Sequence, residues 1–456
     1  MNELKHKPTL IIYGATAFTG RQVVEYLDTH PDRDEFDVII SGRNAARLDG
    51  VKKGLKRDYK VVVLDLGDEQ GVGGLVRMGE VVVNLAGPYR WHNASSIISA
   101  CASTGTHYLD LSGESSWLET LIIPKYDYLA STTGSIILPS CGFDTIPGDI
   151  VLYSALSTLQ NQTRHANVVA GGNNDGSEQE IGITKHTAFY DIKGGLAGGT
   201  VQTMYSVAEL PSEERNSDEW SLVSGQGPSQ PPRLSYTLTH PSFNNKTLHG
   251  AFFAMYPYNR CIIRRSWFLS RLSLARRSSP PHSKKPSGDD QSEQEPRHVD
   301  GLVYQEALQV PSRFWAVTAT VAMGVFGLLF FTSKWTRWLV GSFLPKSGTG
   351  PSEETMRNGH TNITAVSQTT RPGTSVVTSY KGQSDPGYRH TSYILSEAAL
   401  SLLLPPPKGT SLPPLAKIGG VLTPSTALGS VLLQRLRSSG KVIIESKVYE
   451  DKHKDL

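Results

Sequence analysis

Short runs of apolar, mostly β-branched residues alternate with stretches of helical length through the first 150 residues of the chain. These runs lie at residues 9–13, 37–40, 60–64, 81–85, 106–111 and 135–138. Strands of four to six apolar residues, each followed by a helix, are typical of parallel βαβ units buried on both faces. The pattern predicts an α/β fold with a Rossmann-type doubly wound parallel sheet, whose ligand lies beyond the carboxyl ends of the strands.

The pattern changes after this region, and it divides the chain into five parts. We assign the Rossmann-type domain to residues 1–150, the first part of an α+β substrate domain to 151–259, a basic low-complexity linker to 260–300, an apolar membrane-associating segment to 301–345, and a C-terminal part that completes the substrate and Rossmann unit to 346–456. Within the second part, alternating residues predict strands at 165–171 and 182–190.

Residues 314–332 are 19 consecutive residues without a charge. As a helix they would span roughly 28 Å, which is close to the hydrocarbon thickness of a bilayer. Arg313 and Lys334 flank the segment, and nearby tryptophans lie where interfacial aromatic residues are found. The pattern favours a membrane-associating helix over the alternative, a buried core helix. We expect a monotopic or re-entrant attachment that keeps both flanking parts on the cytosolic side.

Composition narrows the range of partners. Lys and Arg outnumber Asp and Glu by 45 to 42, and the net charge of +3 is too weakly basic to indicate nucleic-acid binding. The three cysteines stand far apart, which argues against a metal site or a disulfide framework. Without signal-peptide features at the N-terminus, we expect the protein to face a reducing compartment. The sequence leaves open whether the protein forms a homo-oligomer.

A loop with a glycine at each end directly follows the first predicted strand and precedes a predicted helix. Gly14 would permit the tight turn, Gly20 would let the helix pack against the strand, and the helix amides would face a pyrophosphate. Ala17 stands where the backbone must approach the phosphates. We therefore predict dinucleotide binding by Gly14, Thr16, Ala17, Phe18, Thr19 and Gly20.

The residues after the next strands predict which dinucleotide is bound. Folds selective for NAD usually have an Asp or Glu at the end of the second strand, where its carboxylate binds the ribose 2′-hydroxyl. Arg43 instead offers a guanidinium suited to a 2′-phosphate, which favours NADP, with NAD as the alternative. Asp65 closes the third strand, near the expected adenine. Ala86, Gly87 and Pro88 follow the fourth strand, where small residues would let the nicotinamide ribose approach.

No recognisable catalytic pair accompanies the loop. The sequence lacks the Tyr-x-x-x-Lys pair of short-chain dehydrogenases and the P-loop, HExxH and GxSxG motifs. Tyr89, Cys141 and Asp144 are candidate proton donors by position alone, alongside a bound water. Asp144 has a structural alternative, as the cap of a helix that starts at residues 146–147. The catalytic residues are therefore left open.

Together these motifs resemble those of the saccharopine dehydrogenase-like oxidoreductases, relatives of the trans-acting enoyl reductases of mycobacterial lipid synthesis. The motifs that carry the resemblance are residues 14–20, 42–43, 87–90, 110–114, 142–149 and 419–424. The resemblance implies a nicotinamide-binding Rossmann domain, a role in lipid metabolism, and residence on lipid droplets or other membranes. It does not imply saccharopine as the substrate. Ala17 departs from the glycine that is usual in the family's loop.

Two hypotheses from different classes follow. The first is an NADP-preferring oxidoreductase on the cytosolic face of a lipid droplet or the endoplasmic reticulum, which reduces a C=C or C=O bond of a lipid-like small molecule. The second is a non-catalytic membrane or lipid-droplet protein whose Rossmann domain binds the cofactor as a sensor or structural module. NADPH consumption separates the two, because only the first oxidises the coenzyme.

Overall fold

The computed structural model describes residues 7–169, 181–195, 198–215, 218–223, 230–231, 233–244, 246–278, 301–346 and 348–451. The strands in chain order are β1 Thr9–Tyr13, β2 Asp37–Gly42, β3 Lys60–Val63, β4 Val81–Asn84, β5 His107–Asp110, β6 Ile136–Leu138, β7 Ile183–Lys193, β8 Tyr236–Thr239, β9 Thr247–Ala251, β10 Val303–Val310, β11 His360–Thr369, β12 Thr374–Gln383, β13 Gly420–Val421 and β14 Val442–Glu450.

The α-helices are α1 Phe18–Asp28, α2 Ala45–Lys53, α3 Glu69–Val76, α4 Ala94–Thr104, α5 Ser115–Trp117, α6 Ile123–Thr133, α7 Ile146–Val169, α8 Gly198–Ala208, α9 Ser212–Arg215, α10 Tyr256–Ser278, α11 Arg313–Thr332, α12 Lys334–Gly341, α13 Glu353–Arg357, α14 Thr391–Leu403, α15 Pro424–Ala427 and α16 Gly429–Ser438. Short 3-10 helices cover Arg33–Glu35, Pro241–Phe243 and Pro414–Lys417. Single π-helical turns cover Leu118–Ile122 and Pro386–His390.

The first sheet is the one that the alternating sequence pattern predicts. Its strand order is β13-β6-β5-β4-β1-β2-β3, and each neighbouring pair is parallel. The direction of winding reverses between β1 and β4, so a crevice opens beyond the carboxyl ends of these strands. The Rossmann-type fold is therefore confirmed. The sequence pattern did not predict β13, which the C-terminal part of the chain adds to the edge of β6.

The second sheet has the order β14-β12-β11-β7-β10-β9-β8, in which β7 and β10 pair in parallel and the other neighbours are antiparallel. One apolar core runs from the first sheet to the second. It includes Ile12 and Leu138 of the first sheet together with Tyr190 and Tyr380 of the second. Because the buried side chains are continuous, the two sheets form one packed unit.

The strand predicted at residues 165–171 is wrong as far as Val169, because those residues continue α7. No glycine or proline interrupts the chain between Gly148 and Val169, so the helix runs on through a stretch that the local pattern assigned to a strand. Residues 170–171 lie outside the described residues.

The basic linker predicted from residue 260 is also wrong as far as Ser278, because these residues belong to α10. Two of its cations are buried and bind internal partners. Arg264 pairs with Glu219 at 3.2 Å, and its guanidinium lies 4.4 Å from the ring centre of Trp220. Arg265 donates to two backbone carbonyls at 2.7 Å. Both guanidinium groups therefore belong to the folded interior and not to a linker. Residues 279–300 lie outside the described residues.

α11 packs along β8, β9 and β10 with an apolar outward face. By length and composition it could cross a membrane, with a mean hydropathy of 2.0 and only 11% of its most apolar stretch buried. Its inward face is bonded to the body: the Phe252 amide donates to Thr320 Oγ1 at 2.8 Å, and Arg215 donates to the Phe331 carbonyl at 2.7 Å. The alternative of a buried core helix is therefore wrong.

Candidate cofactor and active site

Two glycines fix the loop between β1 and α1. Gly14 has a φ of +80°, and a Cβ there would lie 2.8 Å from the carbonyl carbon of Leu85. A Cβ at Gly20 would lie 2.3 Å from the carbonyl oxygen of Gly14. The Gly14 amide donates to the Ser41 carbonyl at 2.9 Å, which fastens the loop to β2. Any side chain at either glycine would push the loop off the sheet.

α1 begins at Phe18, at the carboxyl end of β1, and no described side chain caps it. Ala17 occupies the N-cap position, so the first-turn amides need an acceptor from outside the helix. The hydroxyls of Thr16 and Thr19 make no hydrogen bond to another described residue. The Phe18 ring packs on Tyr388 with centroids 5.2 Å apart, so this residue offers a cofactor its backbone rather than its side chain.

Arg43 and Asp65 lie beyond β2 and β3, at the end of the crevice where adenosine is expected. Arg43 Nε lies 3.9 Å from Asp65 Oδ2, and the two side chains are 63% and 62% exposed. A cleft of about 170 Å³ opens beside them. Its lining residues are Tyr13, Arg43, Asp65, Leu66, Gly67, Ala86, Trp91, His92 and Asn93. The structure thus brings together predicted residues that follow β2, β3 and β4.

Trp91 and His92 line this cleft but were not predicted from the sequence. Trp91 is 45% exposed, which suits stacking on a planar base. Burial, and then the charge of Arg43, lower the pKa of His92 below its ordinary value. The run of aromatic and basic residues after Pro88 was the available signal. A depression of about 520 Å³, lined by Lys52, Lys53 and Arg57 among others, precedes β3 and lies at the opposite end of the strands.

Ala86, Gly87 and Pro88 form the turn after β4. The Ala86 amide donates to Asn84 Oδ1 at 3.0 Å, and the peptide bond between Gly87 and Pro88 is cis. A Cβ at Gly87 would lie 3.3 Å from the ring of Tyr89. These contacts hold a turn of small residues at the point where the winding of the sheet reverses.

Tyr89 is buried, and both hydrogen-bonding capacities of its hydroxyl are in use. The hydroxyl donates to the Asn84 carbonyl at 3.1 Å and accepts from the Leu111 amide at 2.9 Å. The ring stacks on Trp117 with centroids 6.3 Å apart. Burial raises the pKa of Tyr89 well above its ordinary value. The geometry favours a structural role over proton donation.

Cys141 is also buried, and the structure gives it internal partners. Its thiol donates to the Leu138 carbonyl at 3.3 Å, and its amide donates to the Asp110 carbonyl at 2.7 Å. Burial, followed by the nearby charge of Asp110, raises the pKa of the Cys141 thiol well above its ordinary value. A protonated, enclosed thiol is a poor nucleophile and a poor proton donor.

Asp144 differs from the other two candidates, because its side chain is partly exposed and makes no hydrogen bond to another described residue. The helix-cap alternative is therefore wrong: the amide of Ile146, where α7 begins, donates instead to the Gly142 carbonyl at 3.0 Å. Burial raises the pKa of Asp144 to about 6. A carboxyl group with this pKa exchanges its proton near neutral pH.

Two carboxyl groups after β5 have structural partners. Asp110 accepts hydrogen bonds from the Ser112 amide at 2.8 Å and the Ser140 amide at 3.0 Å, while burial raises its pKa to about 7. Glu114 accepts from the Arg90 amide at 3.1 Å. Both side chains are buried and tie the loops after β4, β5 and β6 to one another.

A buried carboxyl group on β10 was missed by the sequence analysis. Glu306 accepts hydrogen bonds from the Tyr190 hydroxyl at 2.7 Å, from the Tyr304 hydroxyl, and from Asn259 Nδ2 at 2.9 Å. Burial raises its pKa to about 7. A Cβ at Gly148 would lie 2.9 Å from Glu306 Oε1, so this cluster touches the first turn of α7. An acid inside an apolar strand was the signal that could have found it.

Comparison with known proteins finds a family match in the first part of the chain. Residues 10–129 match the family described as saccharopine dehydrogenase NADP binding domain. The resemblance seen in the sequence is confirmed. Residues 10–129 are therefore similar to the NADP-binding domain of saccharopine dehydrogenase, and the chain is also similar to the trans-acting enoyl reductases of mycobacteria.

Similar proteins extend beyond that domain. A Mycobacterium tuberculosis protein with the provisional name trans-acting enoyl reductase is 29% identical over 94% of this chain and 96% of its own length. A trans-acting enoyl reductase of Mycobacterium leprae is 26% identical over 97% of this chain and 99% of its own length. Among solved structures, saccharopine dehydrogenase of Saccharomyces cerevisiae aligns with 97% of this chain and 99% of its own chain, at 13% identity and a TM-score of 0.49.

The residues of this matched region fit a bound NADP. The two glycines keep side chains out of the phosphate position, and the uncapped turn at Ala17 leaves amides for the pyrophosphate. The hydroxyl of Ser41, next to this loop, is buried without a partner in the described part of the chain. Ala17 retains its methyl group at the phosphate position.

Proposed function

We propose that this protein is a membrane-attached, NADP-preferring oxidoreductase that reduces a C=C or C=O bond in a lipid-linked small molecule. The observation that carries the proposal is the loop from Gly14 to Gly20 with Arg43 beyond the neighbouring strand, inside residues that match an NADP-binding domain. The relatives named trans-acting enoyl reductases support reduction of a C=C bond.

The bound coenzyme would supply the hydride, and the chain would hold the reactants. The first-turn amides of α1 would bind the pyrophosphate, and Arg43 the 2′-phosphate. The small residues Ala86 and Gly87 would let the nicotinamide ribose approach the sheet. The buried groups behind this turn, including Tyr89, would keep the crevice rigid and water out of its floor.

The outward face of α11 and α12 supports attachment to a lipid surface. This membrane-facing surface comprises Phe314, Trp315, Val325, Phe326, Leu328, Leu329, Trp335, Trp338 and Phe343, each at least 42% exposed. Such a patch of aromatic and aliphatic side chains is costly in water, and Trp is favoured at a membrane interface. Because α11 is bonded to the body along its length, we propose monotopic attachment to the cytosolic face of a lipid droplet or the endoplasmic reticulum.

The reaction is tested with the purified full-length chain, NADPH, and vesicles that carry α,β-unsaturated acyl thioesters or keto lipids. We expect NADPH to be oxidised in step with reduction of one of these bonds, and NADH to be used more slowly. Tight binding of NADPH without oxidation by any member of the panel would contradict the proposal and favour the cofactor-sensor hypothesis.

Attachment is tested by flotation with phospholipid vesicles. The double variant Phe326→Glu/Leu328→Glu places two charges on the membrane-facing surface and should abolish flotation, because burying a charge in lipid is costly. Ile443→Glu is the matched control, since Ile443 is an apolar residue on β14 that is 58% exposed. Equal flotation of the double variant and the wild type would contradict the proposal that this surface attaches the protein to lipid. Protease protection of the C-terminal half in sealed vesicles would overturn the topology.

A further inference from the structure

The loop between β6 and α7 is fixed on both sides of Asp144. The Cys141 amide donates to the Asp110 carbonyl at 2.7 Å, and the Phe143 amide donates to Thr391 Oγ1 at 3.1 Å. On the other side, the Ile146 amide closes the turn onto Gly142 at 3.0 Å. The Asp144 carboxyl is therefore held at the carboxyl edge of the first sheet, where the crevice lies, and it makes no hydrogen bond to another described residue.

Apart from Asp144, the carboxyl, phenol and thiol groups on the described loops after β4, β5 and β6 are engaged. The hydroxyl of Tyr89 and the carboxyls of Asp110 and Glu114 bind backbone amides, and the Cys141 thiol binds a carbonyl. Each of these four side chains is also at most 6% exposed. Within the described part of these loops, Asp144 alone among the carboxyl groups combines partial exposure with no protein partner.

Groups on the helix α10 and the strand β10 lie close enough to Asp144 to interact with its charge. The groups whose protonation its charge affects are Tyr258 on α10 and Glu306 on β10. Neither is a cation, and no described Lys, Arg or His forms an ion pair with Asp144. Nothing nearby therefore holds Asp144 as a carboxylate, and burial favours its protonated form until a positive charge approaches.

We propose that Asp144 faces the nicotinamide ring and gives the substrate its proton, an inference that rests on the proposed function. In the reaction, the π bond of the substrate breaks as a hydride adds to one of its atoms and the Asp144 proton adds to the other. NADPH is oxidised to NADP⁺, the substrate is reduced by two electrons, and Asp144 remains as a carboxylate. Its partial exposure then lets water return the proton.

A position of Asp144 beside the nicotinamide ring also affects the binding of the coenzyme when no substrate is present. The oxidised nicotinamide ring carries a positive charge and the reduced ring does not. A carboxylate beside the ring therefore stabilises bound NADP⁺ and not bound NADPH. We expect the affinity for NADP⁺ relative to NADPH to rise about tenfold as Asp144 ionises, between about pH 5.5 and pH 8. The 2′-phosphate titrates in the same range but is common to both coenzymes, so it cancels in the ratio.

The test measures the Kd of NADP⁺ and of NADPH by calorimetry across this pH range for the wild type, Asp144→Asn and Asp144→Glu. The ratio should depend on pH in the wild type and in Asp144→Glu, and should be flat in Asp144→Asn. Glu25→Gln is the control, because Glu25 lies on the solvent side of α1 and burial also raises its pKa. Its ratio should follow that of the wild type.

The outcomes separate the two proposals. If both coenzymes bind and Asp144→Asn keeps the pH dependence of the wild-type ratio, the role of Asp144 is overturned while the proposed function stands. If neither coenzyme binds the folded protein, the proposed function itself fails. With a lipid that the wild type reduces, Asp144→Asn should lower kcat by about 100-fold and leave the KM for NADPH unchanged; an unchanged kcat overturns the proposal.

Discussion

The adenosine end of the crevice, beside Arg43, and the buried cluster around Glu306 hold their charged groups in different surroundings. Arg43 and Asp65 are 63% and 62% exposed, and their nearest charged atoms stand 3.9 Å apart in water. Glu306 is fully buried, and its carboxyl group accepts hydrogen bonds from two tyrosine hydroxyls and one side-chain amide. The adenosine end therefore presents charged groups that a ligand can contact on the surface. The Glu306 cluster instead contains a carboxyl group whose ionisation is costly.

The difference means that one region would bind the coenzyme through a constant charge, whereas the other contains carboxyl groups whose protonation depends on pH. An arginine keeps its charge at any physiological pH, so the anchor at the adenosine end is constant. The carboxyl groups of the other region, Asp144 and Glu306, have pKa values raised by burial to about 6 and about 7. Changes of pH near neutrality should consequently act on these two carboxyl groups and leave the charge of Arg43 unchanged.

The largest effect is expected from Gly20→Ala, which displaces the loop that would bind the pyrophosphate. The added Cβ would lie 2.3 Å from the Gly14 carbonyl oxygen, so the loop must move. Affinity for NADPH should fall by more than about 3 kcal/mol, over about 100-fold, in a fluorescence titration. Gly50→Ala in α2 is the control, because a Cβ there meets nothing within 4 Å. It should bind normally and gain roughly 0.5–1 kcal/mol in unfolding free energy.

Glu306→Gln should remove pH dependence from the buried cluster. Because the folded-state pKa of about 7 lies above the ordinary value of 4.5, Glu306 contributes stability that is present below 4.5 and lost as the pH rises through 7. Relative to the wild type, the variant should gain roughly 2–3 kcal/mol in unfolding free energy between about pH 5 and pH 8. Urea titrations measure this gain, with exposed Glu445→Gln as the control. A constant difference across this range would contradict the burial argument.

Arg43→Ala should weaken NADPH binding by about 2 kcal/mol, or about 30-fold, and leave NADH binding almost unchanged. The reason is the loss of charge-assisted hydrogen bonds to a 2′-phosphate that NADH lacks. Arg47→Ala on α2, a nearby exposed arginine, is the matched control. Equal losses for the two coenzymes would show that Arg43 does not read the 2′-phosphate.

The smallest effect is expected from Asp65→Asn. The pair with Arg43 is exposed on both sides, so removing the carboxylate changes NADPH affinity by less than about 1 kcal/mol, or about fivefold. Calorimetry with both coenzymes measures it. A loss as large as that of Arg43→Ala would mean that Asp65 contacts the adenosine directly, and the contrast between the two regions would need revision.

The parallel sheet and its glycine loop could be predicted from the sequence because their signals are local. Gly14 and Gly20 are six residues apart and adjoin an apolar strand, and Arg43 directly follows the next strand. Both features depend on residues close in the chain, where periodicity and backbone geometry decide the structure.

The buried cluster depends on contacts that no local pattern shows. Glu306 reaches α7 because β10 pairs in parallel with β7, far away in sequence. Arg264 and Arg265 resembled a solvated basic run, yet they bind Glu219 and backbone carbonyls in the interior. Such long-range partners decide whether a charged residue is buried, which is why α10 was predicted as a linker.

The strand β13 completes the nucleotide-binding sheet only late in the synthesis of the chain. β13 lies against β6, yet some 280 residues of chain separate Leu138 from Gly420. Until the ribosome has made β13, the outer edge of β6 exposes unpaired backbone groups that invite pairing with other chains. The parallel sheet is thus completed long after its strands β1 to β6 have been synthesised, and folding of the nascent chain should depend on chaperones that protect this edge.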